Sequence, residues 1–119
     1  MGFTSVNVKI SNPVKADGMI ALELLVDTGA LYTVVSSERL EKIEIPRLGK
    51  RMFKTADGRI VERSIGEALM DLKDELRHVP IAFGEAGDVE VLGVTALEIF
   101  GFEVDPITKE LKPATLLLV

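Results

Sequence analysis

Cysteine is absent from this chain of 119 residues, and histidine occurs only once, at His78. Without cysteine there can be no disulfide, no thiolate metal site and no cysteine nucleophile. A single histidine excludes metal sites built from several imidazoles, and a Ser-His-Asp arrangement would have to use His78. The position of His78 at the start of a predicted strand favours a surface role. Any catalysis must therefore come from carboxylates, hydroxyls or the backbone.

Positive charge is also scarce, with 14 Lys and Arg against 19 Asp and Glu and a formal net charge of −5. The basic residues at 50–54 are too few to hold a nucleic-acid backbone, so we expect neither nucleic acid nor an anionic membrane as a partner. No apolar run reaches the roughly 18 residues of a membrane helix, and the N-terminus lacks the layout of a signal peptide. Together with the lack of cysteine, these features predict a cytoplasmic protein.

Hydrophobic residues are plentiful, at 47% of the chain, which is enough to bury the core of one domain over residues 1–119. Short runs of Val, Ile, Leu and Phe alternate with frequent turn residues, a pattern typical of an all-β barrel or sandwich. An Asp57-Gly58 turn predicts a hairpin between strands at 50–56 and 59–64. The other predicted strands are residues 3–10, 19–26, 31–35, 65–72, 76–83, 89–92, 102–104 and 114–119.

Two short helices interrupt the predicted strands. Ser36 or Ser37 can cap a helix that runs to about residue 42. The second helix covers residues 95–100, where Thr95 and Glu98 have the spacing of a capping box and Gly101 can end the helix.

The most informative segment is Asp27-Thr28-Gly29, which directly follows the apolar strand at 19–26. A carboxylate at the end of a buried strand and facing the interior is costly unless it has partners or a function. Gly29 permits a tight turn, and the Thr28 hydroxyl can form a hydrogen bond to a backbone group or to a second threonine. A purely structural interpretation is an Asx turn, in which Asp27 accepts a hydrogen bond from the amide of Gly29.

The segment from Val26 to Ala30 resembles the active-site motif of the aspartic proteases, in particular the single-lobed, retropepsin-like type. Two further elements resemble the family in the same order: the Asp57-Gly58 hairpin at the place of its flap, and Val91-Leu92-Gly93 followed by a short helix. The likeness extends over about residues 3–119 and is closest to bacterial and archaeal members. It implies a closed acid-protease β-barrel with one or two short helices and one lobe per chain.

The resemblance also implies a mechanism and a set of site residues. The family uses two carboxylates that share one proton, and this short chain has a single Asp-Thr-Gly, so we expect a homodimer that pairs Asp27 of each subunit. The expected substrate is a peptide or protein segment in extended conformation, with no metal or cofactor. The expected catalytic residues are Asp27, Thr28 and Gly29, and the expected substrate-binding residues are Ala30, Ala56, Asp57 and Gly58.

Three departures from the family pattern bear on these expectations. Leu31 and Val94 occupy the places of an Asp and an Arg that brace viral dimers, so an apolar contact replaces the ion pair. Ala30 lacks the hydroxyl that two-lobed relatives use to stabilise the ionised dyad, which predicts a pH optimum less acidic than that of the gastric enzymes. The apolar residues 114–119 predict a strand that pairs between subunits, or alternatively one buried within its own subunit.

Three functions are possible interpretations of these residues. The favoured one is a homodimeric aspartic endopeptidase, with subsite walls that include Val34 and Leu92. The second is a protease-fold dimer that binds proteins or peptides without cleaving them, although a pure binder has no need of a carboxylate at a strand end. The third is phosphoryl transfer on Asp27, which requires a second Asp at the position of Gly29 and several βα units that this chain is too short to contain.

Overall fold

A computed structural model describes residues 3–15 and 18–118, in which nine β-strands and two short α-helices are formed. The strands are β1 (Ser5–Ser11), β2 (Met19–Asp27), β3 (Thr33–Ser36), β4 (Gly49–Lys54), β5 (Ile60–Leu72), β6 (Glu75–Gly84), β7 (Val91–Gly93), β8 (Phe102–Val104) and β9 (Leu111–Pro113). The helices are α1 (Ser37–Lys42) and α2 (Val94–Phe100).

Six of the strands close into a barrel in the order β1-β2-β7-β3-β6-β5, with β5 returning to pair with β1. Strand β4 follows β5 at the end of the strand order and forms an antiparallel hairpin with it. Strands β8 and β9 form a separate two-stranded sheet. This architecture confirms the expected all-β, retropepsin-like closed barrel with short helices.

The barrel core follows from the alternation of apolar residues along its strands. In β2, Leu22 and Leu24 are buried while Ala21, Glu23 and Leu25 are exposed, as a strand with one face on the core requires. Equivalent positions on the other strands complete the core, which includes Val8, Ile10, Val35, Met70, Ile81, Phe83 and Leu92.

Two parallel pairings organise one end of the barrel. Strand β7 lies between β2 and β3, parallel to β2, and places Gly93 opposite Asp27. Strand β3 in turn runs parallel to β6. The short connection from β2 to β3, residues 28–32, therefore passes around the end of β7, and this crossing holds the Asp-Thr-Gly segment at the edge of the barrel.

The helix predictions are confirmed in position, but one cap is wrong. Ser36 caps α1 by accepting a hydrogen bond from the amide of Arg39 at 3.3 Å. Gly101 ends α2 in the left-handed conformation at φ 76°. The predicted capping box of Thr95 and Glu98 does not form, because α2 begins one residue earlier at Val94 and Gly93 is its N-cap.

Some strand boundaries differ from the prediction because pairing partners determine them. The predicted strands at 59–64 and 65–72 are one continuous strand, β5, which pairs first with β4 and then with β6. Gly66 permits this passage, since a Cβ there would lie 2.7 Å from the carbonyl oxygen of Pro46. In place of the predicted strand at 89–92, the structure has β7 at Val91–Gly93.

The predicted strand at 114–119 is wrong for residues 114–118, and Val119 lies outside the described residues. The last strand is instead β9, at Leu111–Pro113, which pairs with β8. Beyond it, Ala114 donates a backbone hydrogen bond to the carbonyl of Gly101, and the following residues extend without a strand partner. Pairing of this segment between subunits stays a prediction. Leu116, Leu117 and Leu118 are exposed, which also excludes burial within their own subunit.

Candidate active site

Asp27 ends β2 and begins a tight turn. Its Oδ1 accepts a hydrogen bond from the amide of Gly29 at 2.9 Å, and its carbonyl accepts one from the amide of Ala30 at 3.1 Å. The Asx turn is therefore present. The side chain is exposed, whereas the sequence had suggested that it faces the interior. Asp27 falls on the same face of β2 as the exposed Glu23 and Leu25, and the opposite face of the strand packs on the core. The turn holds the carboxylate in a fixed direction at the surface.

The turn rests on the end of β7 and the start of α2. The carbonyls of Ala30 and Leu31 accept backbone hydrogen bonds from Val94 at 2.8 Å and Thr95 at 3.2 Å. Beneath them the amide of Gly93 donates to the buried Thr33 hydroxyl at 3.1 Å. Backbone groups from three parts of the chain thus fix the position of the turn, and its side chains remain free for other contacts.

The β4–β5 hairpin lines the same cleft as the turn, and we call this hairpin the flap after the family element that it is expected to match. Its tip has three residues, Ala56, Asp57 and Gly58, with Gly58 in the left-handed region at φ 88°, where glycine is favoured. The Asp57 carboxylate accepts hydrogen bonds from the Thr55 hydroxyl and from Arg59 Nε, and these lower its pKa below the ordinary value. The charged tip is therefore held in shape by its own side chains.

A cleft of about 480 Å³ separates the flap from the turn, a volume within the range of ligand pockets. Phe53 and Val61 face it from the flap, and Tyr32 and Val34 face it from the barrel. The rings of Tyr32 and Phe53 meet edge to face, with centroids 5.5 Å apart. Apolar side chains from both walls therefore meet in the cleft, and we call Tyr32, Phe53 and Val61 together the aromatic patch.

Arg63 and Asp88 form an ion pair in the wall of the cleft. Arg63 Nε lies 2.7 Å from Asp88 Oδ2, and Arg63 Nη2 lies 3.1 Å from Asp88 Oδ1, so the contact is bidentate. Asp88 also accepts a hydrogen bond from the amide of Glu85 at 2.7 Å. The guanidinium lowers the pKa of the Asp88 carboxyl. This pair connects the flap strand β5 to the loop at residues 85–88.

The family model for aspartyl proteases matches residues 12–101, which include the turn, the flap, β7 and α2. The chain belongs to this aspartyl protease family. No curated protein matches it. The match supports a protease and hence a hydrolase, and it agrees with the closed barrel described above.

The structure of this aspartyl protease family member brings some of the predicted site residues together. Gly29, Ala30, Ala56 and Asp57 all line the cleft. Asp27, Thr28 and Gly58 are exposed and are not among its lining residues: the first two lie in and beside the turn, and Gly58 lies at the flap tip.

The predicted subsite walls are partly wrong. Val34 lines the cleft, but Leu92 is fully buried in the core and does not reach it, because β7 is enclosed by β2 and β3. The sequence reasoning missed Tyr32, Arg63 and Asp88. Tyr32 could have been found from its place just after the motif, whereas the Arg63–Asp88 contact joins residues 25 positions apart and has no local signal.

Three further features of the described residues lie outside the cleft. Among the described residues, no three His, Cys, Asp or Glu side chains are grouped so that they could hold a metal ion. His78 is exposed, and its Nδ1 lies 3.2 Å from Glu67 on the neighbouring strand, which confirms its surface role. No helix in the described ranges 3–15 and 18–118 has the length and apolar character to cross a membrane.

Proposed function

We propose that this chain is one subunit of a homodimeric aspartic endopeptidase, in which Asp27 of each subunit meets its symmetry mate on a two-fold axis. The observation that carries the proposal is the exposed Asp27 carboxylate, fixed by the Gly29 amide beside a cleft that a flap covers. One chain supplies one such carboxylate, and a two-fold axis supplies the second.

Two carboxylates at close distance cannot both ionise easily, so the pair holds one proton between them. The ionised member accepts a proton from a water molecule as that water attacks the scissile carbonyl carbon. The protonated member donates its proton to the carbonyl oxygen. Collapse of the tetrahedral intermediate breaks the C–N bond, and the leaving nitrogen is protonated by the dyad. No metal or cofactor takes part in this proposal.

The cleft and the flap would hold the substrate as an extended strand. Backbone groups of Ala56, Asp57 and Gly58 can form hydrogen bonds to the main chain of the peptide, and Gly29 and Ala30 form the opposite wall. Closure of the flap would exclude water from the reacting groups. In the proposed dimer, the hydroxyl of the exposed Thr28 would form a hydrogen bond across the two-fold axis.

Exposed apolar side chains near the turn and at the C-terminal end support association of two chains. Leu31 is 62% exposed, and Leu116, Leu117 and Leu118 are 62%, 87% and 97% exposed. Apolar groups of this size are seldom left in water without a partner when they are clustered. We further propose that residues 1–119 form one protease domain and that it acts in the cytoplasm.

The test is cleavage of a diverse peptide library between about pH 3 and pH 8, followed by mass spectrometry. Wild type should cleave, and Asp27→Asn should not, because the amide can neither act as a base nor share a proton. Asp74→Asn is the matched control, since Asp74 is exposed in the β5–β6 turn, away from the cleft. Cleavage by Asp27→Asn at the wild-type rate would disprove the proposal. Absence of cleavage by a dimeric wild type would favour a peptide-binding module.

A further inference from the structure

The charged groups of the cleft differ in how completely they are paired. Arg63 uses Nε and Nη2 for Asp88, and its Nη1 donates to the carbonyl of Glu62 at 2.9 Å. Every branch of this guanidinium therefore already has an acceptor. Its charge is also balanced by Asp88 in a half-buried setting, so it has little to offer a substrate.

Arg59, directly after the flap tip, is less completely paired than Arg63. Its guanidinium contacts Asp57 through Nε, which lies 3.1 Å and 3.3 Å from the two carboxylate oxygens. Among the described residues, neither of its Nη atoms has an acceptor. An arginine has five N–H donors in a planar fork, and the two Nη groups can bind a second carboxylate. Arg59 is exposed and lines the cleft, so a bound peptide can reach it.

The position of Arg59, one residue before β5, determines which substrate residue it can reach. Val61 lies two residues after Arg59 and pairs with Phe53, so Arg59 lines the cleft on the same side as the flap residues of the aromatic patch. Side chains two residues apart on a strand are separated by about 7 Å. An extended peptide has the same period. When one peptide side chain contacts the aromatic patch, the side chain two residues away therefore lies beside Arg59. The side chain of the residue between them points to the opposite face of the peptide.

We propose that Arg59 binds an acidic side chain of the substrate, two residues from the apolar side chain that contacts the aromatic patch. This proposal rests on the peptidase function above and specifies its substrate class: extended peptides with the pattern apolar-x-acidic or acidic-x-apolar. The contact is exposed to solvent, so it raises the specificity constant by about two- to fivefold, as expected for an exposed ion pair.

The experiment uses peptides that differ only in Glu or Gln, placed one or two residues on either side of a Leu anchor. At about pH 6 and low salt, wild type should show a higher kcat/KM for Glu than for Gln at the two-residue spacing. The one-residue spacing should show no preference. High salt should weaken the preference, because it screens an exposed pair. Below about pH 4 the preference should vanish as the substrate glutamate takes up a proton.

Variants identify the residue responsible. Arg59→Gln should remove the preference, and Arg59→Lys should keep part of it, because it retains the charge without the fork. The matched control is Arg51→Gln, which removes the same charge from the same hairpin at a position outside the cleft lining. A Glu-to-Gln ratio near one in wild type, or an unchanged ratio in Arg59→Gln, would overturn the inference. So would an equal loss in Arg51→Gln.

Binding measurements separate this inference from the peptidase proposal. Fluorescent forms of the same peptides are titrated into Asp27→Asn, which retains the cleft, and into Asp27→Asn combined with Arg59→Gln. Preferential binding that depends on Arg59, with no cleavage by wild type, would disprove the peptidase and support the inference. Cleavage by wild type without any preference for the acidic peptides would support the peptidase and overturn the inference about Arg59.

Discussion

Gly93 lies directly opposite Asp27 where the parallel strands β2 and β7 end, and the space at its Cα admits only hydrogen. A Cβ at this position would lie 2.5 Å from both the carbonyl carbon and the carbonyl oxygen of Tyr32. The chain that carries the Asp-Thr-Gly turn therefore passes against the backbone of β7. The apolar-apolar-Gly element and the turn are thus two parts of one packing arrangement.

Substitution Gly93→Ala should displace the turn and destabilise the barrel by about 2 kcal/mol, since the added carbon meets backbone that cannot rotate away. Thermal unfolding measures the loss of stability, and peptide cleavage measures the displacement of Asp27. The control is Gly49→Ala, where the nearest atoms to a Cβ are side-chain atoms at 4.0 Å. Equal stability of the two variants would contradict this account of the close approach.

The Tyr32–Phe53 contact should couple the flap to the barrel. Tyr32 follows the turn and Phe53 lies on β4, so their edge-to-face contact joins the two walls of the cleft. In a double-mutant cycle with Tyr32→Leu and Phe53→Leu, we expect a coupling of about 1 kcal/mol in the free energy of unfolding. Each single variant should also raise KM more than it lowers kcat, because the patch binds substrate. Additive effects would show that the rings act separately.

The Arg63–Asp88 pair should stabilise the cleft wall even in acid. Because the pKa of Asp88 is lowered in the folded state, the stability it contributes is complete above the unfolded pKa of about 3.9. That contribution is lost only as the pH falls through the lower folded value. Asp88→Asn should therefore be less stable than wild type by about 1 kcal/mol at neutral pH.

Chemical denaturation at a series of pH values measures this difference. It should stay constant from neutral pH to about pH 4 and close only below that. Asp105→Asn serves as a comparison, since Asp105 also has a lowered pKa but lies beyond the cleft, near β8 and β9. If the stability difference between wild type and Asp88→Asn already disappeared near neutral pH, another titrating group would control the pH dependence. Loss of peptide binding in Asp88→Asn but not in Asp105→Asn would place the effect at the 85–88 loop.

Local patterns in the sequence were sufficient to predict the elements that depend on neighbouring residues. The serine cap of α1, the glycine end of α2 and the Asp57-Gly58 turn are all set within a few residues, and the structure confirms each of them. The order of motif, flap hairpin and apolar-apolar-Gly predicted the family. The site residues themselves remain predictions until they are mutated.

The errors arose where distant parts of the chain decide the outcome. The spacing of Thr95 and Glu98 did not indicate that α2 begins at Val94, because the pairing of β7 with β2 determines where the helix starts. The union of two predicted strands in β5 depends on three partner strands. Leu92 looked like a cleft residue but is covered on both sides. Pairing and enclosure are long-range properties that periodicity does not contain.

The exposed tail at residues 114–118 should determine how tightly two subunits associate. Leu117 and Leu118 contribute almost nothing to the core of their own chain, so changing them should leave the stability of the monomer within about 0.5 kcal/mol of wild type. If they are buried between subunits, each contributes about 1.5 kcal/mol or more to the dimer. Leu117→Ser with Leu118→Ser should then raise the dimer Kd at least tenfold.

Sedimentation equilibrium measures the dimer Kd, and peptide cleavage at several protein concentrations shows whether activity follows it. The matched control is Ile107→Ser, which changes an equally exposed apolar residue in the β8–β9 turn. The tail variant should lose activity on dilution and regain it at high concentration, because the dyad is intact in every dimer that forms. A tail variant with the wild-type Kd would show that the two subunits associate elsewhere, and Leu31 at the turn would then be the next side chain to change.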